Sequence, residues 1–244
     1  MTTAPARVLP WDSEFFGRRV ARASSSRLTT AELSRLLAWC RSEAVEWLYF
    51  LADADDAVTT ALAEEARFRL VDVRLELDLT LARRKPVVEA PPFPIRPATA
   101  SDLAALKPIA AAGHTDSRFF FDPRVPRDRA HALYEAWIEQ SVLGRFADVT
   151  LVAEHDGVAS GYITGRMEPE ATASIGLIGV GPGARGHGVG TALVEALLSW
   201  AGSRGAEHVT VVTQGRNVAA QRLYQRCGFL TRSIHLWYHH WLVA

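Results

Sequence analysis

Cysteine is nearly absent from this sequence. Cys40 and Cys227 are the only two in 244 residues and lie far apart, which excludes a disulfide framework and any CxxC metal or redox motif. Both read as buried thiols of a reducing compartment. Lysine is also scarce, with Lys85 and Lys107 alone. A charge surplus is missing too: 27 basic residues face 27 acidic ones, so the chain is not built to neutralise a run of nucleic-acid phosphates. No run of 18 apolar residues occurs, and the opening MTTAPARVLPWDSEFF has no stretch long enough for a secretory signal. The expectation is a cytoplasmic protein without membrane or nucleic-acid partners. Hydrophobic residues at 48% and charged residues at 22% suit a globular chain that folds without metals or disulfides.

The length fits two units, and residues 83–94, RRKPVVEAPPFP, mark a break because their four prolines lack an N–H and stiffen their neighbours. The expected layout is a small α/β domain over 1–85, a Pro-rich linker over 86–94 and a larger domain over 95–244. In the first part, Thr29 followed by Glu32 resembles a capping box opening a helix through Leu33, Leu36, Leu37 and Cys40. WLYFLAD reads as a strand, Asp55 and Asp56 cap a second helix to about Ala66, and apolar residues alternate from Val71 to Leu81 as in a half-buried strand. In the second part, a strand at Ile95–Ala98 precedes a helix ending at Gly113. Another helix spans 126–142, and a hairpin turns at His155-Asp156-Gly157. A strand at 173–180, a helix from about Gly190 to Ser203, the strand HVTVVT, a helix at Val218–Arg226 and the strand region FLTRSIHLWYHHWL complete the order. The fold class is mixed α/β (α+β).

The halves echo each other at an offset of 161. Asp56 matches Asn217, Leu62 matches Leu223 and Phe68 matches Phe229, within the same strand, cap, helix, strand order. The first copy has Ala63 where the second has Tyr224 and lacks a glycine-rich turn, so it is expected to be inert.

The strongest chemical signal is GPGARGHGVG between a strand and a helix. Clustered glycines let backbone N–H groups approach a diphosphate, and the helix N-terminus adds partial positive charge. Gly181, Gly183 and Gly186 fit the dinucleotide pattern GxGxxG, but the next strand ends in Thr213-Gln214 instead of an acid that would hold a ribose. Arg185, Gly188 and Gly190 instead match (Q/R)xxGx(G/A), and NVAAQRLYQRCGF downstream supplies an Asn, a helical Tyr and a closing Gly-Phe. With both motifs in order, the chain resembles the GNAT superfamily of acetyl-CoA-dependent N-acetyltransferases. LPWDSEFFG, DSRFFFDPRVP and the small leading α/β unit give a narrower resemblance to GNAT enzymes that acetylate the 4-amino group of a TDP-linked dideoxyhexose.

The resemblance implies a mostly antiparallel central sheet and assigns roles. Ile178, Gly179 and Val180 would hold the pantetheine arm of coenzyme A through main-chain hydrogen bonds. Arg185, Gly186, His187, Gly188, Val189, Gly190 and Thr191 would bind the diphosphate, and Asn217 and Ala220 would fix pantetheine. Tyr224 would protonate the leaving thiolate. His114, Arg118, Phe119 and Phe121 fall where GNAT acceptors bind, and Arg118 or Arg124 would pair a nucleotide's phosphates. The general base stays open among His114, Asp116, Glu168 and a water chain. His235, His239 and His240 lack a further ligand at suitable spacing, so no metal is expected. Rival readings are another small amine, polyamine or protein N-terminus as acceptor, or a non-catalytic acyl-CoA-binding module. The C-terminal tail could supply an edge strand for a homodimer.

Overall fold

The computed structural model describes residues 4–83, 93–155 and 157–242, the His155 side chain excepted. In chain order, β1 (Ala6–Val8), α1 (Pro10–Phe16) and β2 (Val20–Ala23) open the chain. They are followed by α2 (Thr30–Ser42), β3 (Trp47–Asp53), α3 (Ala57–Glu65) and β4 (Arg69–Thr80). Next come β5 (Ile95–Pro97), α4 (Leu103–Gly113), α5 (Arg118–Phe121) and α6 (Arg127–Val142). Then follow β6 (Val149–His155), β7 (Val158–Glu168), β8 (Thr172–Val180), α7 (Val189–Ser203), β9 (His208–Gln214), α8 (Val218–Arg226) and β10 (Leu230–Trp241). The capping box forms as expected: Thr29 Oγ1 accepts from the Glu32 N–H while Glu32 accepts from the Thr29 N–H. Short elements escape sequence periodicity. Proline at the first helical position opens α1, and α5 is a single turn.

Two compact units emerge, with boundaries unlike those expected. The first joins Met1–Arg74, Ser117–Arg129 and Ile234–Ala244; the second joins Leu75–Asp116 and Ala130–Ser233. The expected linker at 86–94 falls, except for Phe93 and Pro94, outside the described residues. The reason for the C-terminal assignment is pairing: β10 runs antiparallel to β3 from His235↔Asp53 to Trp241↔Trp47. The tail therefore does not offer a free edge, since β10 takes its place between β3 and β4.

In the first unit the strand order is β1-β2-β3-β10-β4. Alternation sends Leu48, Phe50, Ala52 and Tyr238 to one face, where they pack with Leu33, Leu36 and Cys40 of α2 and Ala63 of α3. Each fully buried leucine or phenylalanine among them contributes about 1.5–3 kcal/mol. The other face carries Trp47, Tyr49, Trp237, His239 and Trp241. Phe119 enters this layer beside Phe16 and Trp47. The Asp122 carboxylate pins its segment to β10 by accepting from His239 Nδ1 and Trp241 Nε1, both at 2.8 Å.

In the second unit the order is β4-β9-β8-β7-β6-β5. The β5–β6, β6–β7 and β7–β8 pairs are antiparallel and the β8–β9 pair is parallel. Helix α7 presses so closely on β7 that a Cβ at Gly165 would fall 2.5 Å from Leu197 Cδ1. Tyr162 of the same strand is fully buried and meets His114, at the C-cap of α4, and not α7.

Candidate active site

Strand β8 pairs with β7 over its length, from Glu168↔Thr172 to Gly161↔Val180, but with β9 only from Thr172↔His208 to Ile175↔Val211. Beyond Ile175 the edge facing β9 is left without ladder partners among the described residues. An irregularity lies here, where the Leu177 N–H turns to Thr164 Oγ1 at 2.8 Å. Unpaired backbone in such a strand must find another partner, and an extended ligand with amide groups supplies one. Ile178, Gly179 and Val180 all lie in this stretch. The Val180 carbonyl is already engaged, since Arg185 Nε donates to it at 3.1 Å. Arg185 thus ties the strand end to the loop, leaving only its terminal guanidinium nitrogens for a diphosphate.

The loop after β8 ends in an uncapped helix. Gly188 is the N-cap of α7 and provides no side-chain cap. The first helical bond joins the Ala192 N–H to the Gly188 carbonyl at 3.0 Å. The N–H groups from Gly186 to Thr191 have no acceptor among the described residues. Gly186 and Gly188 adopt φ of +79° and +81°, and nothing lies within 4 Å of a Cβ built at either. A left-handed backbone, open space and orphan donors at a helix N-terminus form a cradle for an anion. His187 projects from the exposed bend.

Helix α8 carries the second motif. Asn217 is its N-cap and accepts from the Ala220 N–H at 3.0 Å, so its oxygen holds the helix start and only its amide N–H groups remain for a ligand. Tyr224 is 3% exposed, edge-on to Phe229 at 5.7 Å. Burial, with a small push from Cys227, raises its hydroxyl well above a free phenol. The group is therefore a proton reservoir that stays protonated throughout the neutral range.

The acceptor-side residues divide between the units. His114 belongs to the second, where its Nε2 meets Tyr162 Oη at 2.9 Å and its ring stacks on Tyr134 at 4.5 Å. Burial lowers its pKa to about 4, which leaves the imidazole neutral. Of the other base candidates, Asp116 offers its backbone carbonyl to Arg216, and Glu168 accepts from Ser174 Oγ.

Arg118, Phe119 and Phe121 belong to the first unit. Phe119 is 1% exposed and has no face left for a base or sugar, because Phe16, Trp47 and Tyr49 enclose it. Of the residues expected on the acceptor side, Phe119 therefore serves packing. Phe121 is exposed. Arg118 lies over the rings of Tyr49, Phe119 and Trp237 at 5.0, 4.3 and 4.4 Å. Arg22 also covers Trp237, and burial followed by the charges of Arg118, Arg74 and Arg7 lowers its pKa. Neither Arg22 nor Arg118 forms an ion pair within 4 Å among the described residues. No sequence signal marks Arg22, Trp237 or Tyr162, because each sits in a plain strand pattern and acquires its meaning only from cross-strand neighbours.

Residues 109–229 match the Acetyltransferase (GNAT) family. The dTDP-fucosamine acetyltransferase of Escherichia coli O6:H1 is 30% identical over 233 residues, covering 94% of this chain and 95% of that protein. The spore coat polysaccharide biosynthesis protein SpsD of Bacillus subtilis is 33% identical over 154 residues, and the match covers 63% of this chain and 53% of SpsD. Among solved structures, a GCN5-related N-acetyltransferase from Sphaerobacter thermophilus has a TM-score of 0.67 at 19% identity, covering 98% of this chain and 76% of that one. A tandem GNAT protein from the clavulanic acid biosynthesis pathway has a TM-score of 0.64 at 16% identity, covering 92% and 76%.

Proposed function

The chain belongs to the acetyltransferase (GNAT) family, and from that premise we propose that it moves an acetyl group from acetyl-CoA to the amino group of a nucleotide-linked amino-deoxy sugar. The observation that carries the sugar acceptor is the near full-length similarity to a dTDP-fucosamine acetyltransferase, joined by similarity to a spore coat polysaccharide biosynthesis protein.

The residues fit the donor. The orphan N–H groups of Gly186–Thr191 would hold its diphosphate, and the unpaired edge of Gly176–Val180 would hold the amide-bearing arm. Acetyl-CoA supplies an activated acyl group. Tyr224 acts as proton donor to the sulfur, because a buried phenol surrenders its proton only to a strong developing base. Asn217 and Ala220 set the start of α8 and hence the position of Tyr224. In the first unit, Arg118 and Arg22 lie over aromatic rings and form no ion pair within 4 Å among the described residues, a setting suited to an anionic group.

A thiol-release screen with acetyl-CoA tests the reading against TDP-amino sugars, polyamines and peptide N-termini. Release with the amino sugars is expected. Activity on peptides alone would overturn the sugar acceptor, and binding heat with acetyl-CoA without thiol release to any amine would mark a non-catalytic acyl-CoA-binding module.

A further inference from the structure

We propose that His114 accepts the proton of the attacking amine and that Tyr162 is the positioning residue that fixes its imidazole, an inference resting on the acetyl-transfer reading above. The geometry begins at Gly179. Tyr162 on β7 stands opposite Gly179 on β8, and its ring leans across that strand. A Cβ built on Gly179 would fall 2.6 Å from Tyr162 Cε1, 2.8 Å from Cζ and 3.0 Å from Oη. Only glycine leaves room for the ring, so the tyrosine hydroxyl lies over the part of β8 that has no β9 partner. Its hydrogen-bond partner there is His114 Nε2 at 2.9 Å.

The imidazole is held from three sides. Tyr134 of α6 stacks on it with 15° between the planes, and Tyr162 takes one nitrogen. His131 Nδ1 donates to the Ala111 carbonyl at 2.8 Å, tying α6 to the last turn of α4 directly before His114. No hydrogen bond to Nδ1 of His114 is formed among the described residues, and this atom is not sealed from solvent. The titratable groups facing the ring are Tyr162 from β7 and Tyr134 from α6, and burial alone accounts for its lowered pKa of about 4. A neutral imidazole carries one proton. With that proton on Nε2, donated to Tyr162 Oη, Nδ1 presents a lone pair outward.

Such a base does not strip a free ammonium in solution. It acts when the amine nitrogen bonds to the acyl carbon and becomes acidic. The carbon–sulfur bond breaks, the amine proton passes to His114 Nδ1, and the thiolate takes the proton of Tyr224. The imidazolium, disfavoured by burial, returns its proton to solvent, and Tyr224 is reprotonated. Atoms and charge balance without a further reagent.

The test compares His114→Gln, His114→Ala and Tyr162→Phe with the wild type, using acetyl-CoA and the amine of the screening panel that gives the fastest thiol release. Hydrolytic release, with water in place of the amine, serves if no panel amine is accepted. Gln keeps a donor to Tyr162 without a basic nitrogen. Expected are a kcat loss of roughly 10²- to 10³-fold for both His114 variants, about 10-fold for Tyr162→Phe, and KM for acetyl-CoA within twofold throughout. Added imidazole should recover part of the loss in His114→Ala and none in Tyr162→Phe. A His114→Gln enzyme within threefold of wild type overturns the proposal, as does a His114→Ala loss that imidazole leaves unmoved. A wild type that releases no thiol to amines or water overturns it together with the transfer reading, whereas an active wild type with active variants sinks this inference alone.

Discussion

Arg67 and Gly228 occupy the same place in two copies of one structural unit, each with a left-handed backbone, at φ of +61° and +93°. Both follow a helix, and the hydrogen bonds that close the two turns correspond. The Arg67 and Phe68 N–H groups reach Glu64 and Ala63, while those of Gly228 and Phe229 reach Gln225 and Tyr224. This is the Schellman pattern, which favours glycine at the left-handed residue. The offset of 161 carries β3 onto β9, α3 onto α8 and β4 onto β10 without a change in either boundary. It also carries left-handed Ala44 onto left-handed Gly205.

The asymmetry within this pair predicts opposite responses. Arg67→Gly removes a left-handed penalty of about 1 kcal/mol but loosens the unfolded chain, so a gain of roughly 0.5 kcal/mol is expected. Gly228→Ala should lose about 1–2 kcal/mol, because its Cβ would also meet Leu79 Cδ1 at 3.2 Å. Urea midpoints of the two variants, read at unchanged slope, check the sign.

At the helix α7 cradle, Gly188→Asp places a carboxylate among N–H groups meant for an anion and forces a side chain into φ of +81°. Calorimetry with acetyl-CoA should show at least a hundredfold loss of affinity, with little change in the thermal midpoint. Normal binding would move the diphosphate elsewhere.

The two motifs around these glycines were legible in sequence because both act through backbone. A run such as GARGHGVG dictates dihedral angles and bare N–H groups locally, and Asn217 and Tyr224 fall on one helix at fixed spacing. The long elements were likewise readable from period and caps. What stayed hidden depends on neighbours distant in the chain. Phe119 falls in the acceptor-side segment of the sequence, yet Phe16 and Trp47 bury it. The C-terminal segment reads as an edge strand in sequence, but it pairs with β3. Tyr162 had no signature, since its role arises from Gly179 across the ladder and His114 from another element.

Tyr224→Phe should lower kcat by roughly 10²- to 10⁴-fold with little change in acetyl-CoA affinity. Since burial raises the hydroxyl above a free phenol, it remains protonated through the working range. The wild-type rate at saturating substrates should therefore show no alkaline decline from this group below about pH 10. A decline starting near pH 8 that disappears in Tyr224→Phe would contradict the assignment.

Asp102 is a source of acid sensitivity in the second unit. Asp102 is 7% exposed, pairs bidentately with Arg96 at 2.9 Å to each oxygen and accepts from the Thr99 N–H. The Arg96 hydrogen bonds, ahead of those from Thr99, hold its carboxyl down at about 2, against an ordinary value of 3.8. A depressed carboxylate stabilises above its unfolded pKa, and that contribution disappears as pH falls through the folded one. Arg96 is over one third exposed, so screening trims the effect to about 1–2 kcal/mol. Asp102→Asn should be less stable than wild type by this amount at pH 7, with the difference closing between pH 4 and 2.

The repeated unit raises the question of a second donor site, and the capping of α2 argues against one. In the second copy α7 begins uncapped, with its N–H groups turned outward. In the first, the Thr29 hydroxyl serves the Glu32 N–H and the Glu32 carboxylate returns to the Thr29 N–H at 2.8 Å, placing a negative charge where a diphosphate would need to lie. The helix dipole is thus satisfied internally, and Ala63 stands where the other copy has Tyr224. Titration with acetyl-CoA should give one site per chain. Thr29→Ala should cost about 1 kcal/mol of stability and leave both stoichiometry and affinity unchanged. A second equivalent of bound acetyl-CoA, lost or altered in Thr29→Ala, would show that the first copy still binds the donor.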